Sequence, residues 1–365
     1  MRHAPAVQSE GTVDQRFAPV RDAFEAVLAA QRGTGAAVAA WCDGSWVADL
    51  WGGTADAAGT RRWQADSVVQ PYSVTKPFTA VCALRLVDRG SLELDAPVQR
   101  YWPEFVAPAT VRQVLSHQAG VVALDEPVAT EVFYDWELLC SLLARQRPQW
   151  APGEAHGESA LFYGHLVGEL VRRVDGRSPG TFLREEVCGP AALDFFIGLR
   201  SPELLRAVDL TGLDAFDRST RGAPELYRRA TGNPPGTLDP DVVNSLRWRT
   251  AEIPAINGHG TARGVAGLYM ALLQGQILSP ALLREATTAQ CAGTDAVFGH
   301  DNAWGLGFGV DADGFGMGGL GGSYGGAGAA GGYAFGFVTG TMRVHDDATD
   351  LENALRACLG LPPLD

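Results

Sequence analysis

Lysine is nearly absent from this chain. Lysine and arginine together number 29 in 365 residues, and Lys76 is the single lysine. Arginine serves every other basic position. A guanidinium cannot be deprotonated in a protein, whereas a buried ammonium changes its pKa readily. One lysine kept among arginines therefore marks a position where proton exchange or a compact charge has a use. Basic residues are also few in sum: the formal net charge is −13. Nucleic acids and anionic membranes attract basic patches, so neither is expected as a partner. No run approaches the roughly 18 consecutive apolar residues of a membrane span. Residues Met1–Asp14 are polar and charged where a signal peptide needs an apolar stretch. The expected location is cytoplasmic. The six cysteines, Cys42, Cys82, Cys140, Cys188, Cys291 and Cys358, are scattered among apolar residues with no C-x-x-C. They read as small buried hydrophobes rather than a disulfide framework. No HExxH, P-loop or paired-cysteine pattern is present, so neither a metal nor any other cofactor is expected.

What remains is a chain that is 46% hydrophobic, with no long low-complexity tract and no internal repeat. That composition fits a soluble globular protein, and the length suggests about two domains. Residues 20–31 have apolar positions at helical spacing. Two β-like runs follow, Ala36–Cys42 and Ser45–Trp51, and Asp43-Gly44 between them is a hairpin signal. From Ser73 to Gly275 the pattern is mostly helical, with helices expected at 78–88, 110–117, 136–145, 163–174 and 261–274. Strand character returns at 304–310 and 333–340, around a glycine-rich segment at 314–332, before a last helix at 349–359. This order predicts an α+β sandwich. An antiparallel sheet would be built from both chain ends, residues 1–70 and 276–365, and flanked by helices. Residues 71–275 would form an inserted, mostly helical domain, with a site at the junction.

Residues 71–77 read Pro-Tyr-Ser-Val-Thr-Lys-Pro. Serine is a good helix cap, and Pro77 is tolerated only in a first turn, so a helix is expected to start at Ser73. Ser73 and Lys76 then share a face. A serine hydroxyl is a weak nucleophile that needs a base or a positive field, and lysine supplies either. The pattern alone also fits a capping serine beside a solvated lysine.

The chain resembles serine hydrolases of the class C β-lactamase and penicillin-binding-protein superfamily, especially the esterase branch. The resemblance is carried by WVADLWGG at 46–53, YSVTK at 72–76, LDAPVQRYWPEF at 94–105 and VRQVLSHQAG at 111–120. It continues through WAPGEAHGESALFYGHLVGELVRRVDGRS at 150–178, NGHGTARGVAGLYMALL at 257–273 and FGMGGLGGSYG at 315–325. It implies a β-lactamase/transpeptidase-like fold and an acyl-Ser73 intermediate with Lys76 as activating partner. It also implies an oxyanion hole from the N–H groups of Ser73 and Leu320, and a substrate-binding wall that includes Tyr72, Met317, Gly318 and Gly319.

The sequence departs from the family pattern twice. Where relatives place a tyrosine facing the Ser-Lys pair, this chain aligns Glu158, which could accept the Ser73 proton beside a charged Lys76. Glu158 could instead be an exposed loop residue, with the tyrosine's part taken by Tyr163 or lost. Where relatives carry K-T-G or H-x-G, this chain has Met317-Gly318-Gly319, with no cation for a substrate carboxylate. Gly321-Gly322-Ser323-Tyr324-Gly325 matches the α/β-hydrolase elbow, but no acid lies between Ser323 and His345 and no helix pattern follows. His117 and His259 occur in family-like contexts; His117 reads as structural. The expected activity is hydrolysis of a small-molecule ester. Transfer of the acyl group to an amine or alcohol is the alternative, and β-lactam turnover or a non-catalytic acyl-binding role stands behind both. The oligomeric state is not legible.

Overall fold

The computed structural model describes residues 8–31, 33–214, 223–328 and 332–364. Part of the N-terminal stretch read above and the tip of the glycine-rich segment, 329–331, lie outside the described residues. Nine strands form one antiparallel sheet in the order β1-β3-β2-β11-β10-β9-β8-β7-β6. The N-terminal strands are β1 (Glu10–Val13), β2 (Ala36–Cys42) and β3 (Ser45–Gly52). β6 (Cys291–Thr294), β7 (Asp301–Trp304), β8 (Gly309–Val310), β9 (Gly314–Gly318), β10 (Tyr324–Gly328) and β11 (Tyr333–Thr339) come from the other end. β2 pairs with β11 from Ala36–Thr339 to Trp41–Ala334, so the two chain ends are zipped together in mid-sheet. A short pair, β4 (Phe195–Phe196) with β5 (His259–Gly260), lies outside this sheet.

The β2–β3 turn has φ of 50° at Asp43 and 82° at Gly44, the left-handed pair that suits a two-residue hairpin. α1 (Ala18–Ala30) and α5 (Asp346–Leu359) cover one face of the sheet. Phe24 and Leu28 of α1 and Leu351 and Leu355 of α5 pack with Val38, Leu50, Phe335 and Phe337. Each such side chain, fully buried, contributes about 1.5–3 kcal/mol. α4 (Ala262–Leu273) packs on the other face, and it comes close where glycines face it, at Gly325 of β10 and Gly336 of β11. A Cβ at Gly325 would stand 2.4 Å from Val265 Cγ1 and 2.9 Å from Tyr269 Cε2. Beyond α4 lie α2 (Thr75–Asp88) and α3 (Tyr163–Asp175), which pack on each other within the main core.

The glycine-rich segment contains the strands β9 and β10, paired from Gly318–Tyr324 to Gly314–Gly328. Glycine has no strand preference of its own, so only the pairing reveals them. The strand expected at 304–310 is broken, with β7 ending at Trp304 and β8 starting at Gly309.

Candidate active site

Ser73 does not cap a helix, as the sequence suggested. It sits in a single 3-10 turn, Tyr72–Val74, that runs directly into α2, with Pro77 in the first turn of that helix. Tyr72 holds a left-handed φ of 45°, a conformation that costs a non-glycine residue about 1–2 kcal/mol. Its buried hydroxyl donates to the Thr237 carbonyl at 2.8 Å, which ties the turn to the segment facing it. Ser73 is left half-buried at the floor of a cleft.

Lys76 lies one turn further on and is completely buried. Its Nζ donates to Ser73 Oγ at 2.7 Å and stands 2.9 Å from Glu158 Oε1. Ser73 Oγ is itself 3.4 Å from that carboxylate oxygen, a long contact. Burial pushes the Lys76 pKa below its ordinary value, and the Glu158 carboxylate pulls it back up. The sole lysine, the serine and the aligned glutamate thus form one triangle around two oxygens and a nitrogen. Such a set can move a proton off a hydroxyl while a positive charge stands beside it.

Tyr163, weighed against Glu158 above, faces elsewhere, as does Tyr324. Tyr163 is fully buried and donates to the Leu115 carbonyl at 3.1 Å. Tyr324 packs with the helices on the far side of the sheet. Ser323 is buried as well, and its Oγ accepts from the Thr339 N–H at 3.2 Å. His259 is buried, bonds the Asn257 carbonyl at 2.8 Å, and is held by that burial down to about 3.

The cleft has a volume of about 870 Å³. Tyr72, Ser73, Glu158, Gly318, Gly319 and Leu320 all line it. Leu320 occupies the turn after β9, and its N–H has no partner among the described residues. Gly319 presses against the Ser73 turn so closely that a Cβ there would lie 2.0 Å from the Pro71 carbonyl oxygen. Met317 needs a correction. It is 6% exposed and does not line the cleft, because alternate residues of a strand face opposite sides. His345, next to Gly318 at the head of α5, takes part in the lining instead. Sequence reasoning missed it, since a lone histidine before a helix carries no motif. Apolar wall is provided by Leu161, Leu238, Ile256 and Phe298, and Arg228 comes from the helix Glu225–Gly232. Among the described residues no group of His, Cys, Asp and Glu is arranged to hold a metal, and no helix is long and apolar enough to cross a membrane. The cysteines are unpaired thiols, four of them buried.

Three comparisons bear on this geometry. Esterase/beta-lactamase LipL of Mycobacterium tuberculosis is 33% identical over 360 residues, covering 90% of this chain and 82% of that protein. The crystal structure of a family VIII carboxylesterase superposes with a TM-score of 0.89 at 34% identity, over 96% of this chain and all of the other. Monacolin J acid methylbutanoyltransferase of Aspergillus terreus is 25% identical over 197 residues, 46% of this chain and 48% of that protein. The relatives thus include an esterase and an acyltransferase, and the α+β fold is shared with the carboxylesterase structure. A family model for Beta-lactamase matches residues 20–359, and the chain belongs to the beta-lactamase family.

Proposed function

We propose that this protein hydrolyses small-molecule carboxylic esters through an acyl-Ser73 intermediate. The observation that carries the reading is the contact of Lys76 Nζ with both Ser73 Oγ, at 2.7 Å, and Glu158 Oε1, at 2.9 Å, on the floor of the cleft. Ser73 Oγ attacks the ester carbonyl carbon while its proton passes to Glu158 and Lys76 supplies a positive field. The oxyanion is met by the N–H groups of Ser73 and Leu320. The bond to the alcohol oxygen breaks as Glu158 returns the proton to it. Water then attacks the acyl carbon with Glu158 again as base, the Ser73 Oγ–acyl bond breaks as Glu158 gives that proton to Ser73 Oγ, and the acid leaves.

Esters are favoured over β-lactams because β9 brings no permanent cation to the cleft. Met317 is apolar and buried. His345, although exposed at the rim, is ringed by enough protein to hold its pKa below the ordinary value. Arg228 belongs to a different element. A lost charge-assisted hydrogen bond is worth about 1.5–3 kcal/mol, so kcat/KM for an activated acyl ester should exceed that for penicillins by roughly 10–10²-fold. Equal or better turnover of a penicillin would contradict the reading.

A second reading, delivery of the acyl group to an amine or alcohol, is favoured by the relative named as a methylbutanoyltransferase. Incubation of the protein with a p-nitrophenyl ester, with and without a primary amine, separates the two. Free acid at the same rate in both supports the hydrolase. Amide product with little free acid supports transfer, and stoichiometric labelling without turnover would make the protein an acyl-binding one.

Glu158→Gln keeps the shape and removes the basicity. Single-turnover acylation should fall by roughly 10²–10⁴-fold. Acylation as fast as the parent at every pH would remove Glu158 from the mechanism.

A further inference from the structure

Glu158 sits on a loop, and a base on a loop needs something to aim it. Three successive N–H groups of that loop are held by two residues distant in sequence. The Gly157 N–H donates to the carbonyl oxygen of His117 at 3.1 Å. The Ser159 N–H donates to Nδ1 of the same histidine, also at 3.1 Å. Between them, the Glu158 N–H donates to Oδ2 of Asp295 at 2.9 Å.

Both anchors are themselves fixed. Asp295 is 1% exposed. Its Oδ1 accepts from the N–H groups of Val297 and Phe298 at 2.8 and 2.9 Å, and Asn302 Nδ2 reaches Oδ2 at 3.2 Å. His117 is packed between Tyr163 and Trp304, with ring centroids at 4.6 and 4.4 Å. Its backbone has a left-handed φ of 60°, and in that conformation its carbonyl and its ring meet the same three-residue segment. Gly157 is crowded as well: a Cβ there would stand 2.8 Å from Trp150 Cη2 and 3.0 Å from Val297 Cγ2.

We infer that His117 and Asp295 are positioning residues, which clamp the backbone on either side of Glu158 and so set its carboxylate against Lys76 and Ser73. The inference rests on the reading of Glu158 as the base. Glutamate has more rotatable bonds than the phenol it replaces in the family pattern, and a displacement of about 1 Å at a reacting group can cost on the order of 10²-fold in rate. Because Nδ1 accepts, the neutral ring carries its proton on Nε2. Burial first, then the charge of Lys76, holds the imidazole well below its ordinary pKa, so the accepting tautomer persists.

Asp295→Asn tests the clamp. Whichever way its amide turns, one acceptor becomes a donor facing donors. Single-turnover acylation by a p-nitrophenyl ester should fall by roughly 10–10²-fold, with ester affinity little changed. In a Glu158→Gln background the same substitution should change acylation by less than about threefold, because two residues acting through one group are not additive. An equal fold-loss in both backgrounds would overturn the inference and leave Glu158 as base. An unchanged rate in Glu158→Gln alone would remove the base, and the inference with it. A second pair guards against misfolding. His117→Asn keeps an acceptor near Nδ1 and tolerates the left-handed backbone, while His117→Leu keeps neither. Both lose the packing on Tyr163 and Trp304. With folded fractions set by thermal melts, the asparagine variant should acylate at least about tenfold faster than the leucine variant. Equal losses in the two would make His117 a packing residue and overturn its part.

Discussion

Ser73→Ala protein should neither turn over esters nor react with a fluorophosphonate probe. The acyl-enzyme needs the hydroxyl oxygen, and Ser73 Oγ is the hydroxyl that Lys76 and Glu158 contact at the cleft among the described residues. Loss of a nucleophile that works in concert with its partners removes on the order of 10⁴-fold or more in kcat. The fold should survive, since the Lys76–Glu158 contact at 2.9 Å does not pass through the serine. Ser323→Ala is the companion experiment. That serine is buried and bonded to the Thr339 N–H, so its loss should lower stability by about 1 kcal/mol and leave labelling intact. If labelling vanished in Ser323→Ala and persisted in Ser73→Ala, the assignment of the site would fall.

Lys76→Arg should be nearly as inactive as Lys76→Ala, within about tenfold, even though the charge is retained. Lys76 is fully buried and its compact ammonium touches both Ser73 Oγ and Glu158 Oε1. A guanidinium is larger and planar. Forcing it into that space displaces the turn or the glutamate, at a cost of about 1–3 kcal/mol in packing alone. It also cannot give up a proton, whereas burial has already shifted Lys76 towards doing so. Steady-state kinetics on the three proteins decide the matter. Near-normal activity in the arginine variant would show that a positive field of any shape is sufficient. The alanine variant also leaves the Glu158 carboxylate without its counter-charge in a largely buried setting, so its thermal stability should be measured beside its rate.

The parts of this protein that are written locally could be read from its sequence. The Asp43-Gly44 hairpin is one, because both residues take the positive φ that the turn demands and few others tolerate it. The helices with clear apolar spacing are another: Trp136–Arg145 has the expected bounds, and Tyr163–Asp175 differs by one residue. Lys76 was legible through its rarity, and Ser73 through its spacing from Lys76. Features that depend on distant partners were hidden. The glycines of β9 and β10 sit where neighbours come close, α4 at Gly325 and the Gly325 carbonyl at Gly316, and a glycine run viewed alone does not announce strands. Asp295 is 137 residues from the N–H it accepts, and no local motif surrounds it. His345 reaches the cleft only because the last helix folds back over the sheet. Met317 was placed on the cleft wall by resemblance alone; the strand's alternation turns it inward. Glu158 became visible only by alignment with a family position that normally holds a different residue type.

The most direct measurement is to catch the intermediate. The protein is mixed with an excess of a p-nitrophenyl ester, quenched in acid within the first turnovers, digested, and analysed by mass spectrometry. The account predicts an acyl adduct on the peptide that contains Ser73, formed in a burst equal to the enzyme concentration. It also predicts that the burst is slowed by roughly 10²–10⁴-fold in Glu158→Gln and is absent in Ser73→Ala. Ester hydrolysis with no adduct on Ser73, or an adduct on another residue at the same rate, would contradict it.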